Sequence, residues 1–89
     1  MTTYNYPKIV RRPEVLKLLQ VSRSNLYKKI EQGLWPAPIQ LGARAVAWLS
    51  NENERVVGAM IAGQSKEEIK QLVKNLEESR KQYKGVAAQ

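Results

Sequence analysis

The sequence predicts a mainly α-helical fold with a small β-hairpin, a winged helix-turn-helix followed by an additional C-terminal helix. Three observations predict it. Two short amphipathic segments are joined by a very tight connection, a proline-containing stretch with alternating apolar residues comes next, and two capped helical segments follow. The chain has 89 residues, which is enough for one small core and leaves little room for a second independently folded unit.

The first two helices are predicted from their caps and their apolar positions. The first spans residues 13–19, and Pro13 suits its first turn because the N–H that proline lacks has no helical partner there. The second spans residues 22–31, where Ser22 caps its N-terminus and Gly33 ends it in a left-handed conformation. Two helices joined by so short a turn are typical of a helix-turn-helix.

A β-hairpin is predicted after the second helix. Pro36 and Pro38 interrupt helical structure, and the stretch PIQLGARAVAWL then alternates as two strands, at 38–41 and 45–48. The inner face of this hairpin is predicted to consist of Ile39, Leu41, Val46 and Trp48. Trp35 is predicted to be a core residue as well. A hairpin that directly follows a helix-turn-helix is a wing, which completes the predicted fold class.

Two further helices are predicted beyond the hairpin. One spans residues 51–62 and is capped by Ser50; the other spans 65–83, where Ser65 and Glu68 form a capping box. Their predicted apolar positions are Val56, Val57, Met60 and Ile61 in the third helix, and Ile69, Leu72, Val73, Leu76 and Tyr83 in the fourth.

The chain is expected to divide into two parts. Residues 1–63 form the winged helix-turn-helix, preceded by an extended arm at 1–10 from which Ile9 and Val10 reach the core. Residues 64–89 form a helical extension. We expect its helix either to pack on its own domain or to serve dimerisation or contact with a partner.

The composition excludes several classes of site. The chain contains neither Cys nor His, which removes disulfides, thiolate nucleophiles, the usual zinc ligand sets and the commonest general base. We therefore expect no enzyme activity, no metal and no cofactor. The sequence has no signal-peptide-like apolar region and no apolar run near the roughly 20 residues of a membrane span. We expect a cytoplasmic bacterial protein that does not bind membranes.

The positive charge is concentrated in the first half of the chain, and the net charge is +7. Residues 1–49 contain eight Lys or Arg and two Glu, whereas residues 50–89 contain seven Lys or Arg and six Glu. A small domain with one basic half is typical of nucleic-acid binding and, less often, of binding to an anionic membrane.

The second predicted helix has a donor-rich outer face. With Leu26 at the centre of its buried side, Ser24 and Lys28 point directly away from the core. Side chains of this kind read base edges or hold phosphates when a helix enters the major groove. The residues predicted to do so are Ser22, Arg23, Ser24, Asn25, Tyr27 and Lys28. A solvated amphipathic helix, with Tyr27 packed against the first helix, is the alternative interpretation.

Four further cations are predicted to contact DNA outside this face. Arg44 lies at the hairpin turn, from which it reaches a phosphate or the minor groove. Arg11 and Arg12 precede the first helix, and Lys29 lies at the border of the second; all three are predicted to contact the DNA backbone.

The run RRPEVLKLLQVSRSNLYKKIEQGLWPAPIQLGARAVAWLSNE resembles the AlpA family of phage-type transcriptional regulators, small MerR-like winged-helix proteins related to the excisionases. The matching pieces are RPEVLKL, VSRSNLYKKIEQG and WPAPIQLGARAVAWL, and the resemblance covers about residues 11–54. It implies sequence-specific binding of double-stranded DNA, and it carries a DNA-contact role over to Arg23, Ser24, Asn25, Tyr27, Lys28 and Arg44. The helix at 65–83 is a departure from a typical member of the family, which ends soon after the helix that follows the wing.

Three functions remain open at this point. The first is a prophage or mobile-element transcriptional regulator. The second is an excisionase-like recombination directionality factor that bends attachment-site DNA for a phage-type integrase. The third is a protein-interaction adaptor that does not bind DNA. A homodimer or a cooperative oligomer on DNA would enlarge the limited area that one small winged domain buries.

Overall fold

Four helices and a three-stranded antiparallel sheet make up residues 7–83, the part of the chain that this computed structural model describes. The elements in chain order are β1 (Ile9–Arg11), α1 (Arg12–Leu19), α2 (Arg23–Glu31), β2 (Ile39–Gln40), β3 (Val46–Leu49), α3 (Ser50–Ile61) and α4 (Lys66–Ser79). Most of the predicted arm, residues 1–6, lies outside the described residues. The observed arrangement is a winged helix with an additional C-terminal helix, as predicted.

The helix-turn-helix forms where the sequence predicts it. The turn between α1 and α2 contains Gln20 in the left-handed conformation, with φ 55°, and the Gln20 N–H donates to the carbonyl of Leu16. The hydroxyl of Ser22 accepts a hydrogen bond from the Asn25 N–H at 3.2 Å, which caps α2. Gly33 follows α2 with φ 78°, as predicted for a residue that ends a helix.

The sheet is larger than the predicted hairpin, because the N-terminal arm supplies a third strand. The strand order is β1-β3-β2, with β3 in the centre. Val10 pairs with Trp48 on β3, and Val10 packs against the core, as predicted. Successive side chains of a strand point to opposite faces, so Ile9 lies on the other face and is 45% exposed. The prediction that Ile9 reaches the core is therefore wrong.

The wing is defined here as residues 39–49, which comprise β2, β3 and the turn between them. Trp48 is fully buried, as predicted, whereas Leu41 is 48% exposed. The predicted inner face is wrong for two of its four residues. Ile39 pairs with Ala47, which places it on the face of the sheet opposite Val46 and Trp48. Leu41 belongs to the turn, where its N–H donates to the Ala45 carbonyl. Trp35 is buried as well.

The third helix differs from its prediction at both ends. Ser50 does not cap α3: it is the first helical residue, and its hydroxyl accepts from the Lys8 N–H at 3.1 Å, extending the contact between β1 and β3. Met60 and Ile61 are exposed, against the prediction, because they lie in the last turn of α3, beyond the core. The helix buries Glu52 and Asn53 instead, together with the predicted Val56.

One buried cluster joins the helix-turn-helix, the wing and α4. Its members are Val15, Leu26, Trp35, Trp48, Val56, Ala59, Ile69, Val73 and Leu76. The capping box of α4 is present: Ser65 N–H donates to Glu68 at 2.9 Å, and Glu68 N–H donates to the Ser65 hydroxyl at 3.2 Å. The predicted helix is interrupted: α4 ends at Ser79, and a turn at Arg80 separates it from helical residues at 81–83. Tyr83 is more than a third exposed rather than part of the core. A separate role for residues 64–89 stays a prediction.

Candidate nucleic-acid interface

The outer face of α2 is built on one buried residue. Leu26 is completely buried, which fixes the rotation of the helix about its axis and leaves Arg23, Ser24, Asn25 and Lys28 exposed. The first turn of α2 contains no acidic residue, so the positive end of the helix dipole is not compensated there. The arrangement presents hydrogen-bond donors and positive charge on a narrow helical edge.

Three predicted residues of α2 are less available than their sequence positions indicate. The Ser22 hydroxyl is engaged in the helix cap, while Tyr27 and Lys29 are half-buried. The Tyr27 hydroxyl accepts a hydrogen bond from Arg12 Nη1 at 3.1 Å. Tyr27 therefore ties α2 to the start of α1, as in the alternative interpretation of this helix, and a direct DNA contact by its ring stays a prediction.

The structure brings together three arginines that the sequence places far apart. Arg11 and Arg12 come from the junction of β1 and α1, Arg44 comes from the tip of the wing, and together with Pro13 and Val46 they line a cleft of about 200 Å³. We call this site the arginine cleft. No carboxylate lines it, and within residues 7–83 none of its three guanidinium groups forms a salt bridge.

The cleft depends on the strand that the sequence pattern did not reveal. Pairing of Arg11 with Ala47 on β3 brings the junction of β1 and α1 beside the wing. The Arg11 Nε then donates to the Val46 carbonyl at 3.2 Å, which holds the guanidinium beside the turn of the wing. The doublet at residues 11–12 was the available signal, but its proximity to Arg44 follows only from the long-range pairing.

The chemistry of the cleft is that of an anion site. Guanidinium groups stay charged at all physiological pH values and bind phosphate oxygens through planar, paired N–H donors. Arg12 belongs to the cleft and also bonds to Tyr27 on α2, so the cleft adjoins the donor-rich helix.

No helix in the described range 7–83 has the length and the apolar composition of a membrane span.

The chain matches a known family over the segment that contains these features. The model of a family described as Prophage CP4-57 regulatory protein (AlpA) matches residues 8–55, more than half of the chain, from β1 into α3. The uncharacterized protein ORF88 of Enterobacteria phage P4 is 37% identical over 59 residues, which are 66% of this chain and 67% of that protein. No solved structure matches. With its resemblance thus confirmed, the chain belongs to the AlpA family of prophage regulatory proteins.

Proposed function

We propose that this protein binds double-stranded DNA in a sequence-specific manner and acts as a transcriptional regulator of a prophage or another mobile element. The observation that carries the proposal is the hydrogen bond between Arg12 and Tyr27. It joins the exposed, donor-rich face of α2 to a cleft lined by three arginines without a carboxylate. A helix that reads bases beside a site that holds phosphates is the combination that sequence-specific DNA binding requires.

The outer face of α2 and the arginine cleft have different roles in the proposed DNA binding. The outer face of α2 enters the major groove, where Arg23, Ser24 and Asn25 donate to base edges and set the preferred sequence. The arginine cleft and the two lysines of α2, Lys28 and Lys29, neutralise phosphates. Because this second contribution releases counterions, it sets the affinity and weakens as the salt concentration rises.

The experiment is the selection of bound sequences from a random duplex pool, followed by affinity measurements on the selected site and on a scrambled duplex. Arg23→Ala and Asn25→Ala are expected to weaken binding to the selected site by about 1–3 kcal/mol each, and to reduce the preference over the scrambled duplex. Lys74→Ala removes one exposed charge from α4 and serves as the control for Arg23→Ala. It should leave the preference unchanged.

Other results of the same selection favour the other functions. An unchanged preference in both α2 variants contradicts the role of α2. Weak, salt-sensitive binding without an enriched motif favours the architectural, excisionase-like role beside an integrase. An absence of binding at low salt favours a protein-interaction adaptor. Repeated half-sites among the selected duplexes would indicate a homodimer or a cooperative oligomer on DNA.

A further inference from the structure

The loop that leads into the wing is held by two side chains at the C-terminal end of α4, Glu77 and the C-cap residue Arg80, outside the family match. The Ala37 N–H donates to Glu77 Oε2 at 2.7 Å, and the Ala37 carbonyl accepts from Arg80 Nη2 at 2.8 Å. Both polar groups of one backbone residue are thus engaged by residues one helical turn apart near the end of α4. This residue lies two positions before β2.

The carboxylate of Glu52 on α3 fixes the position of Arg80. Arg80 Nη2 lies 2.6 Å from Glu52 Oε1, and Arg80 Nε lies 2.9 Å from Glu52 Oε2. Glu52 is only 3% exposed. Paired hydrogen bonds of this kind constrain both the distance and the plane of the guanidinium. We call Glu52, Glu77 and Arg80 the wing clamp.

The opposite side of the same loop is fixed from within the sheet. Trp48 Nε1 on β3 donates to the Pro36 carbonyl at 2.8 Å. Pro36 and Pro38 flank Ala37, and proline restricts the backbone of its own residue and of the residue before it. The entry to β2 therefore has little conformational freedom.

The wing needs such external support. Only two residue pairs join β2 to β3, Ile39 with Ala47 and Gln40 with Val46, and a two-stranded hairpin of this size is marginally stable by itself. On the β3 side, Arg11 holds the Val46 carbonyl. On the β2 side, the wing clamp holds Ala37.

Stability alone does not account for a polar clamp at this place. The apolar residues Ile69, Val73 and Leu76 already attach α4 to the core. A buried ion pair contributes little net stability, because the charges lose their hydration. Its directional hydrogen bonds nevertheless specify one geometry for the loop, which is the property that a DNA-contacting wing requires.

We propose that Glu52, Glu77 and Arg80 are positioning residues for DNA binding, which hold the wing so that Arg44 completes the arginine cleft. The proposal rests on the proposed DNA-binding function. It assigns the C-terminal helix the role of positioning the DNA-contacting wing.

The test uses Glu77→Ala in the full chain, because this change releases the Ala37 N–H and leaves the buried pair of Glu52 and Arg80 in place. Removing a negative charge from a DNA-binding protein should by itself strengthen binding. The clamp predicts the opposite, a loss of roughly three- to tenfold in affinity, which is the effect of a group coupled to a contact residue. Glu78→Ala removes the neighbouring exposed carboxylate and controls for charge. Glu77→Gln keeps an acceptor oxygen and should restore most of the binding.

A double-mutant cycle shows whether the loss passes through the wing. Arg44→Ala should weaken binding and reduce the slope of log K against log salt by about 0.9, the value for one phosphate contact. In the Glu77→Ala background it should have little further effect. Arg23→Ala on α2 should remain additive with Glu77→Ala. Arg80→Gln, compared at a temperature at which it is folded, should reproduce the coupling to Arg44.

Amide hydrogen exchange measured without DNA tests the wing clamp separately from the proposed DNA binding. Glu77→Ala should accelerate exchange of the Leu41 amide in the wing and leave the Leu26 amide of α2 unchanged. Unchanged exchange at Leu41, or additive effects of Glu77→Ala and Arg44→Ala on affinity, overturns the wing clamp while DNA binding stands. A wild-type protein that binds no duplex overturns the proposed function and the DNA role of the clamp, whatever the exchange rates show.

Discussion

Arg12 is the residue at which α2 and the arginine cleft meet. Its guanidinium has five N–H donors, and one of its nitrogens, Nη1, donates to the Tyr27 hydroxyl. The other donors are left for an anion in the cleft. A side chain held in this way before binding loses less conformational entropy when it engages a phosphate. Within the proposed DNA binding, we therefore expect Tyr27 to contribute to affinity through Arg12.

The variant Tyr27→Phe tests this assignment, because it removes the hydroxyl and keeps the ring. A single hydrogen bond of this type contributes about 1 kcal/mol, so we expect up to a fivefold loss of affinity. The selected and the scrambled duplex should lose affinity by roughly the same factor. In an Arg12→Ala background the change should have no further effect. A changed sequence preference in Tyr27→Phe would contradict the assignment and indicate that the phenol reads a base.

Residues governed by local rules were predictable from the sequence, and residues governed by long-range pairing were not. Ser22 caps α2 and Leu26 is buried because caps and helical periodicity act within a few positions. Gln20 adopts a positive φ, although side chains other than glycine rarely do. The meeting of Arg11 and Arg44 depends on the pairing of β1 with β3, which three residues of β1 are too few to reveal.

Among the helices too, features set by local sequence were predicted correctly and features set by long-range contacts were not. The capping box of α4 was predicted from Ser65 and Glu68 and is present. The cap of α3 was assigned wrongly to Ser50, whose hydroxyl bonds to Lys8 of the neighbouring arm. The buried face of α3 was only partly predicted, because Glu52 reads as a surface residue until its partner Arg80 is known. Local patterns thus predict the helices themselves better than the polar contacts between them.

The capping box makes the stability of α4 depend on pH. The backbone hydrogen bond from Ser65, and then the hydrogen bond with its side chain, hold the pKa of Glu68 below its ordinary value of 4.5. The folded state therefore binds the proton less readily than the unfolded chain does. The stabilisation is fully present above pH 4.5 and is lost as the pH falls through the lowered pKa of the folded state.

We accordingly expect Glu68→Gln to give a flatter dependence of the unfolding free energy on pH below 4.5 than the wild type gives. Denaturant titrations at several pH values measure this dependence. The adjacent Glu67→Gln is the matched control, since Glu67 is well exposed and its carboxylate lies 3.7 Å from Lys70 Nζ. Equal pH profiles for the wild type and Glu68→Gln would show that the ionisation of Glu68 does not act on stability.

At the scale of the whole molecule, α4 and the family-matched segment share one core. Val73 and Leu76 belong to the same buried cluster as Trp35 and Trp48. Ile69 and Leu76 are seven residues apart, a spacing that is also typical of a coiled coil. In this structure both side chains pack into the core of their own chain. The two tryptophans report on this cluster by fluorescence, whereas helical circular dichroism reports on all four helices, so the two signals should change together when the protein unfolds.

Leu76→Ala tests whether α4 and the family-matched segment unfold as one cooperative unit. Leu76 is 9% exposed, and truncation of a buried leucine typically lowers the free energy of unfolding by about 2–5 kcal/mol. We expect this loss in a single transition that is seen at the same denaturant concentration by tryptophan fluorescence and by circular dichroism. Ile61→Ala is the control, because Ile61 is 82% exposed and its truncation should change stability by less than about 0.5 kcal/mol. Loss of part of the helical signal ahead of the fluorescence change would show instead that α4 unfolds separately, and the wing would then lose its clamp before the helix-turn-helix unfolds.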